Sequence, residues 1–151
     1  MAQDVWKPNV VVAALVERDG RFLLIEEHTS TGLRLNQPAG HWEPGETLLD
    51  AVVRETLEES GYHFRPTSLV GVYSLPVAEL GLTYLRFAFA GEVVGHDPAR
   101  RLDDGIVRAL WQTPDEIRSG RDRHRSPLLL QCVEDHLAGH RYPLELLHHY
   151  R

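Results

Sequence analysis

GHWEPGETLLDAVVRETLEESGY, residues Gly40 to Tyr62, passes from a loop marked by glycine and proline into an amphipathic segment that stops at Gly61. Thr47 reads as the N-cap of a helix, and Asp50, three residues on, completes a capping-box pattern; Gly61 stands where helices commonly end. At about 3.6 residues per turn, Glu55, Glu58 and Glu59 fall at i, i+3 and i+4 and share one face. Leu48, Ala51 and Val52 occupy the N-terminal turns of that side. Leu49, Val53 and Leu57 form a neighbouring apolar arc that is expected to bury against a sheet.

The glutamates make the helix electrostatically poor in isolation. Glu55 and Glu59 are like charges at i and i+4, which costs about 0.2 to 0.5 kcal/mol. Glu58 and Glu59 also lie in the last turn, where the helix dipole disfavours anions by about 0.3 to 1 kcal/mol each. A divalent cation would reverse both penalties, and hard ions such as magnesium prefer carboxylate oxygens. Arg54 can pair with Glu58 or reach a carboxylate across the loop. A solvated acidic face is the plainer alternative for such a cluster.

Outward from this helix, Asn9 to Glu17 and Arg21 to Glu27 read as a hairpin turned at Asp19-Gly20. Thr29 to Pro44 is rich in loop residues. Further strands are predicted near Ser68 to Ser74, Leu82 to Val94 and Ile106 to Gln112. Short helices are predicted at Pro114 to Arg118 and Pro127 to Leu137, and a last turn after Pro143. Strands and helices do not alternate one for one, so a mixed α/β sheet flanked by helices fits better than a doubly wound fold.

The 151 residues suit a single domain spanning 1–151, with no repeat, low-complexity tract or linker. Twenty-two acidic against 16 basic residues give a net charge of -6, which disfavours nucleic acid backbones and anionic membranes as partners. Cys132 is the only cysteine, which excludes an intrachain disulfide and a multi-cysteine zinc site. The opening MAQDVWKPNV lacks the pattern of a secretory leader, and no apolar run approaches the ~18 residues of a membrane span. These features lead us to expect a cytoplasmic protein, monomeric or homodimeric.

The order of Gly40, Glu46, Arg54-Glu55, Glu58-Glu59 and Gly61 resembles the Nudix box of the Nudix hydrolases, with Thr56 and Tyr62 at positions where that family prefers an aliphatic residue. The resemblance implies an α/β/α sandwich with the box as loop-helix-loop, and magnesium, or manganese in its place, promoting attack of water on a diphosphate-containing small molecule. Carried over, Glu55 and Glu59 are the main metal ligands, with Glu58 ligating directly or through water. Glu46 helps hold the metal site or a base, Arg54 orients a glutamate, and Gly40 gives the loop the shape to approach metal and phosphate. Catalytic roles thus fall on Glu58, Glu59, Glu46 and Arg54. Such catalysis needs positioning and charge stabilisation rather than a protein nucleophile.

Asn36 to His41, Leu85-Arg86-Phe87, Arg125 to Leu128 and Arg141 to Glu145 are similar to segments of the NudJ-type phosphatases of that family. This subgroup removes terminal phosphate from nucleoside tri- and diphosphates and from thiamine-related pyrophosphates. A pyrophosphohydrolase cutting inside the chain of a nucleoside triphosphate or nucleotide sugar is the alternative, and a non-catalytic nucleotide-binding domain a third reading. Outside the helix, Arg86, Arg125 and Arg141 are candidate phosphate clamps because guanidinium suits phosphate oxygens, with Arg86 and Arg125 ranked first; each could also be a surface or capping arginine. Trp42 could stack on a substrate ring or cover the core. Asp103-Asp104 could supply an acid or form a turn. His148-His149 read as exposed, and Cys132 as a small buried apolar residue.

Overall fold

The computed structural model describes residues 4–150; residues 1–3 of the opening stretch read above, and Arg151, lie outside the described residues. Asn9–Arg18 (β1) and Arg21–Thr29 (β2) form the expected hairpin. Its two-residue turn places both Asp19 (φ 53°) and Gly20 (φ 75°) in the left-handed region, which matches the twist of the flanking strands. Gly32–Asn36 (β3) and Ala39–His41 (β4) follow, then the helix Leu48–Ser60 (α1). The remaining strands are Tyr62–Val77 (β5), Leu82–His96 (β6) and Ile106–Gln112 (β7), followed by helices Pro114–Ser119 (α2) and Leu128–Leu137 (α3). A 3-10 turn at Leu144–Leu146 follows Pro143.

The seven strands form one mixed sheet ordered β3-β2-β1-β6-β5, with β4 added beside β1 and β7 beside β2. β1 and β6 run parallel, whereas β4 pairs antiparallel to β1 and β5 antiparallel to β6. Alternation along the strands divides the core between two faces. Val12, Ala14, Val16, Leu23 and Phe89 pack with Ala51 and Val52 of α1. Leu15, Phe22, Leu24, Ala88 and Ala90 pack with Ile117 of α2 and Leu129, Cys132 and Val133 of α3. The result is the helix-sheet-helix layering that the resemblance implies. Among the described residues, no helix is long and apolar enough to cross a membrane.

Three sequence expectations need correction. The stretch read as loop, Thr29 to Pro44, contains β3 and β4, which are too short to register as periodic runs; they are held by pairing with β2 and β1. β5 starts at Tyr62 rather than near Ser68 and continues through Pro66 and Pro76, which an edge strand tolerates, with a register irregularity between Pro66 and Ser68. On α1 the fully buried residues are Ala51, Val52, Glu55, Thr56 and Ser60, while Leu49, Val53 and Leu57 are half-buried. Burial of the polar pair is made tolerable because the Thr56 hydroxyl donates to Val52 O and the Ser60 hydroxyl to Thr56 O. The buried arc is therefore rotated toward the acidic face and carries Glu55 inside.

Candidate active site

Capping fixes where the acidic helix begins and ends. The Thr47 side chain accepts from Asp50 N and the Asp50 carboxylate accepts from Thr47 N, while Gly61, at φ 77°, donates to Leu57 O. Arg54 then gathers the loop and the helix. Its Nε and Nη2 donate to the two oxygens of Glu46 at 3.0 and 2.8 Å, a bidentate pair. Its Nη1 lies 2.7 Å from Oε1 of both Glu55 and Glu58, and Nη2 also donates to His41 O. Glu46 is further tied to the loop, since its Oε1 accepts from Glu43 N and its backbone carbonyl accepts from the Trp42 indole. The Arg54 guanidinium holds the Glu46 carboxyl below the ordinary carboxylate range.

Gly40 and Glu55 are sterically matched. A Cβ at position 40 would fall on the Glu55 carboxyl group, so that carboxyl keeps its place against β4 only with glycine there. Burial pushes the Glu55 carboxyl up, against the lowering effect of Arg54. Glu59 points toward the same strand, and its Oε1 accepts from Ala39 N at 2.8 Å. Burial, followed by the charges of Glu55, Glu27 and Asp103, raises the Glu59 pKa to about 8 despite that hydrogen bond.

Single ligand oxygens of Glu55, Glu58 and Asp103 lie within 4.8 Å of one another. Their all-oxygen chemistry suits magnesium or manganese, and inward rotation of side chains that already converge would complete the approach. Asp103 arrives from the loop before β7 because its N–H donates to Glu58 O, which anchors that loop on the end of α1. Sequence reasoning left Asp103 open between acid and turn; an acidic pair before a strand carries no sign that its loop will fold back on a helix. Glu59 stands beside this trio with one oxygen committed to β4.

Of these groups, Glu55 and Glu59 border a cavity of about 600 Å3. Gly40, Glu55, Glu59, Arg86 and Arg125 line it; Trp42 and Arg141 are not among its lining residues. Arg86 is only 5% exposed, donates to Gln37 Oε1 at 2.9 Å and Asn36 Oδ1 at 3.2 Å, and has a buried Nε without a partner among the described residues. Its Nη1 also reaches Cys132 Sγ at 3.9 Å, and a buried cation held by neutral groups has the chemistry to receive an anion. Arg125 donates to Glu27 Oε1 at 2.6 Å and is fixed through its backbone N–H to Leu35 O. Arg141 instead donates to the backbone carbonyls of His136 and His140. His148 and His149 are exposed and Cys132 is buried.

The profile described as NUDIX domain matches residues 6–131. Phosphatase NudJ of Escherichia coli K12 is 36% identical over 143 residues, covering 95% of this chain and 92% of the relative. A NUDIX hydrolase from Nitrosomonas europaea superposes with a TM-score of 0.93 at 54% identity, covering 95% of this chain and 98% of that one. The fold alone is shared with a MutT NUDIX hydrolase from Burkholderia pseudomallei, at a TM-score of 0.70 and 23% identity, covering 86% of this chain and 98% of that one. The carboxylate cluster and the cavity with its buried arginine thus stand in a chain whose relatives are phosphatases and hydrolases, and the protein belongs to the Nudix family as a phosphohydrolase.

Proposed function

We propose that this hydrolase removes the terminal phosphate from nucleoside tri- and diphosphates and from thiamine-related pyrophosphates, with magnesium as its ion and manganese able to replace it. The observation that carries this reading is that Glu55, Glu59 and the buried Arg86 line one cavity, with oxygens of Glu58 and Asp103 within 4.8 Å of Glu55. Glu55 and Glu58, joined by Asp103, would hold the ion, with Glu59 completing the acidic shell. When bound, the ion neutralises phosphate oxygens and lowers the pKa of the attacking water. Arg54 and Glu46 keep Glu55 and Glu58 in orientation, and Gly40 lets β4 lie against Glu55. Arg86 and Arg125 receive phosphate oxygens, while Trp42 braces the loop through its bond to the Glu46 carbonyl.

The similarity to a phosphatase supports release of orthophosphate over a cut inside the chain. The test is a metal-dependent panel of nucleotides, thiamine pyrophosphate and ADP-ribose with separate detection of phosphate and pyrophosphate, run beside Glu58→Gln. Pyrophosphate plus a monophosphate product would favour the internal cut instead, and turnover unchanged in Glu58→Gln would refute the site. We take residues 1–151 as one domain acting in the cytoplasm as a monomer or homodimer, without nucleic acid or membrane partners.

A further inference from the structure

The end of the cavity beyond Arg86 is built differently from its acidic end. Tyr73, Leu75 and Val77 of β5 are half-buried and alternate with exposed Val72, Ser74 and Pro76, so one face of the β5–β6 hairpin turns inward. Leu75 lies directly opposite Tyr84 in the β5–β6 register, and Leu75, Val77, Leu80 and Tyr84 all line the cavity. Leu80, in the 3-10 turn at the hairpin tip, is 62% exposed. Tyr84 precedes Arg86 by two residues on the same strand face, about 7 Å along β6. Among the described residues, the Tyr84 ring stacks on no other aromatic ring and carries no guanidinium over its face.

We propose that Tyr84, backed by Leu75 and Val77, is the specificity-determining platform on which a flat aromatic ring of the substrate stacks, and that the phosphate joined to that ring's side of the molecule rests at Arg86. The assignment rests on the phosphohydrolase reading of the cavity and adds to it the residue that would read the heteroaromatic ring of such substrates. Leu75, Val77 and Leu80 offer apolar surface that an aromatic face covers on stacking at Tyr84. Stacking accepts any π face, so purine, pyrimidine and thiazolium-bearing substrates are all admitted.

The experiment compares wild type, Tyr84→Phe and Tyr84→Ala, all checked for unchanged melting temperature, with ATP, CTP and thiamine pyrophosphate as substrates and inorganic tripolyphosphate as a ring-free competitor. Tyr84→Ala raises KM for the ring-bearing substrates on the order of tenfold with kcat within about twofold, and Tyr84→Phe retains wild-type KM. The inhibition constant of tripolyphosphate stays the same in all three proteins. KM unchanged in Tyr84→Ala, or an equal loss of tripolyphosphate affinity, overturns the assignment. If wild type turns over none of these compounds, the phosphohydrolase reading fails separately. Calorimetric binding of ATP and CTP then decides the platform: tenfold weaker binding to Tyr84→Ala supports it, and equal binding refutes it.

Discussion

Replacing Glu59 by Gln should stabilise the metal-free protein at alkaline pH and destabilise it at acidic pH. The Glu59 carboxyl has a folded pKa raised from 4.5 to about 8, chiefly by burial. Between these values the folded chain keeps a proton that the unfolded chain has released, so the unfolded state binds fewer protons and stability falls as pH rises. At 1.36 kcal/mol per pKa unit the accumulated penalty is about 1 kcal/mol at pH 5 and about 4 kcal/mol at pH 8. Gln does not ionise and still offers an oxygen to Ala39 N, but its amide N–H groups face carboxylates and a strand; an imperfectly satisfied amide costs about 1 to 3 kcal/mol. The balance is a gain of about 1 to 3 kcal/mol at pH 8 and a loss of up to about 2 kcal/mol at pH 5. For a domain of this size each kcal/mol moves the melting temperature by roughly 2 to 4 °C. Calorimetric melts in EDTA at pH 5, 6.5 and 8 read the crossover. Magnesium at about 100 times its Kd should add about 2.7 kcal/mol to the wild type, less to Glu59→Gln, and flatten the wild-type pH slope. A Glu59→Gln protein that melts below wild type by the same margin at all three pH values would refute the reasoning.

Gly40→Ala should remove activity by about a hundredfold or more while circular dichroism stays native, because the new Cβ displaces the Glu55 carboxyl. Arg54→Met leaves Glu46, Glu55 and Glu58 without their shared cation and should lower metal-free stability by about 3 kcal/mol, partly restored by magnesium in thermal melts. Arg86→Met removes a buried cation with no acidic partner, so its melting temperature should hold or rise while KM for nucleotides increases. The Glu26 carboxyl is held low by Arg123 and then Arg108. Its contribution is therefore present above pH 4.5 and is lost as pH falls through the lower folded value, and Arg123→Ala should lose stability at neutral pH and progressively less as pH falls below 4.5 in acid titrations.

The readable parts of the chain were those governed by local rules. Capping at Thr47 and Gly61, the Asp19-Gly20 turn and the Ile106–Gln112 strand follow from short-range propensity, and the structure reproduces them within a residue or so. β3 and β4 escaped because each is held by a neighbour far along the chain, and short edge strands carry little pattern of their own. The same limit applies to the site. Helical spacing brings Arg54, Glu55 and Glu58 together and Glu46 lies in the adjoining loop, whereas Asp103 reaches them through a loop pinned to the Glu58 carbonyl. In the sequence Arg86 is a candidate by its chemistry alone. What distinguishes it, burial against Asn36 and Gln37 without an acid, depends on strands that meet only after folding.

Helical spacing alone suggests a segment that makes sense only with a bound cation, yet Arg54 already supplies one positive charge at the point where Glu55 and Glu58 converge, 2.7 Å from each. The like-charge and dipole penalties on those two residues are thereby offset within the protein. Glu59 is the carboxylate left out: its hydrogen bond comes from the neutral Ala39 amide, and Glu55, Glu27 and Asp103 all disfavour its charge. The bidentate pair with Glu46 uses Nε and Nη2, so Arg54 can release Glu55 and Glu58 from Nη1 without leaving the loop. A divalent ion held by Glu55 and Glu58, as proposed, would replace one arginine nitrogen there, and the gain in charge compensation would fall mainly on Glu59. For that reason Glu59→Gln, rather than a substitution at Glu55 or Glu58, isolates the electrostatic strain that the metal relieves.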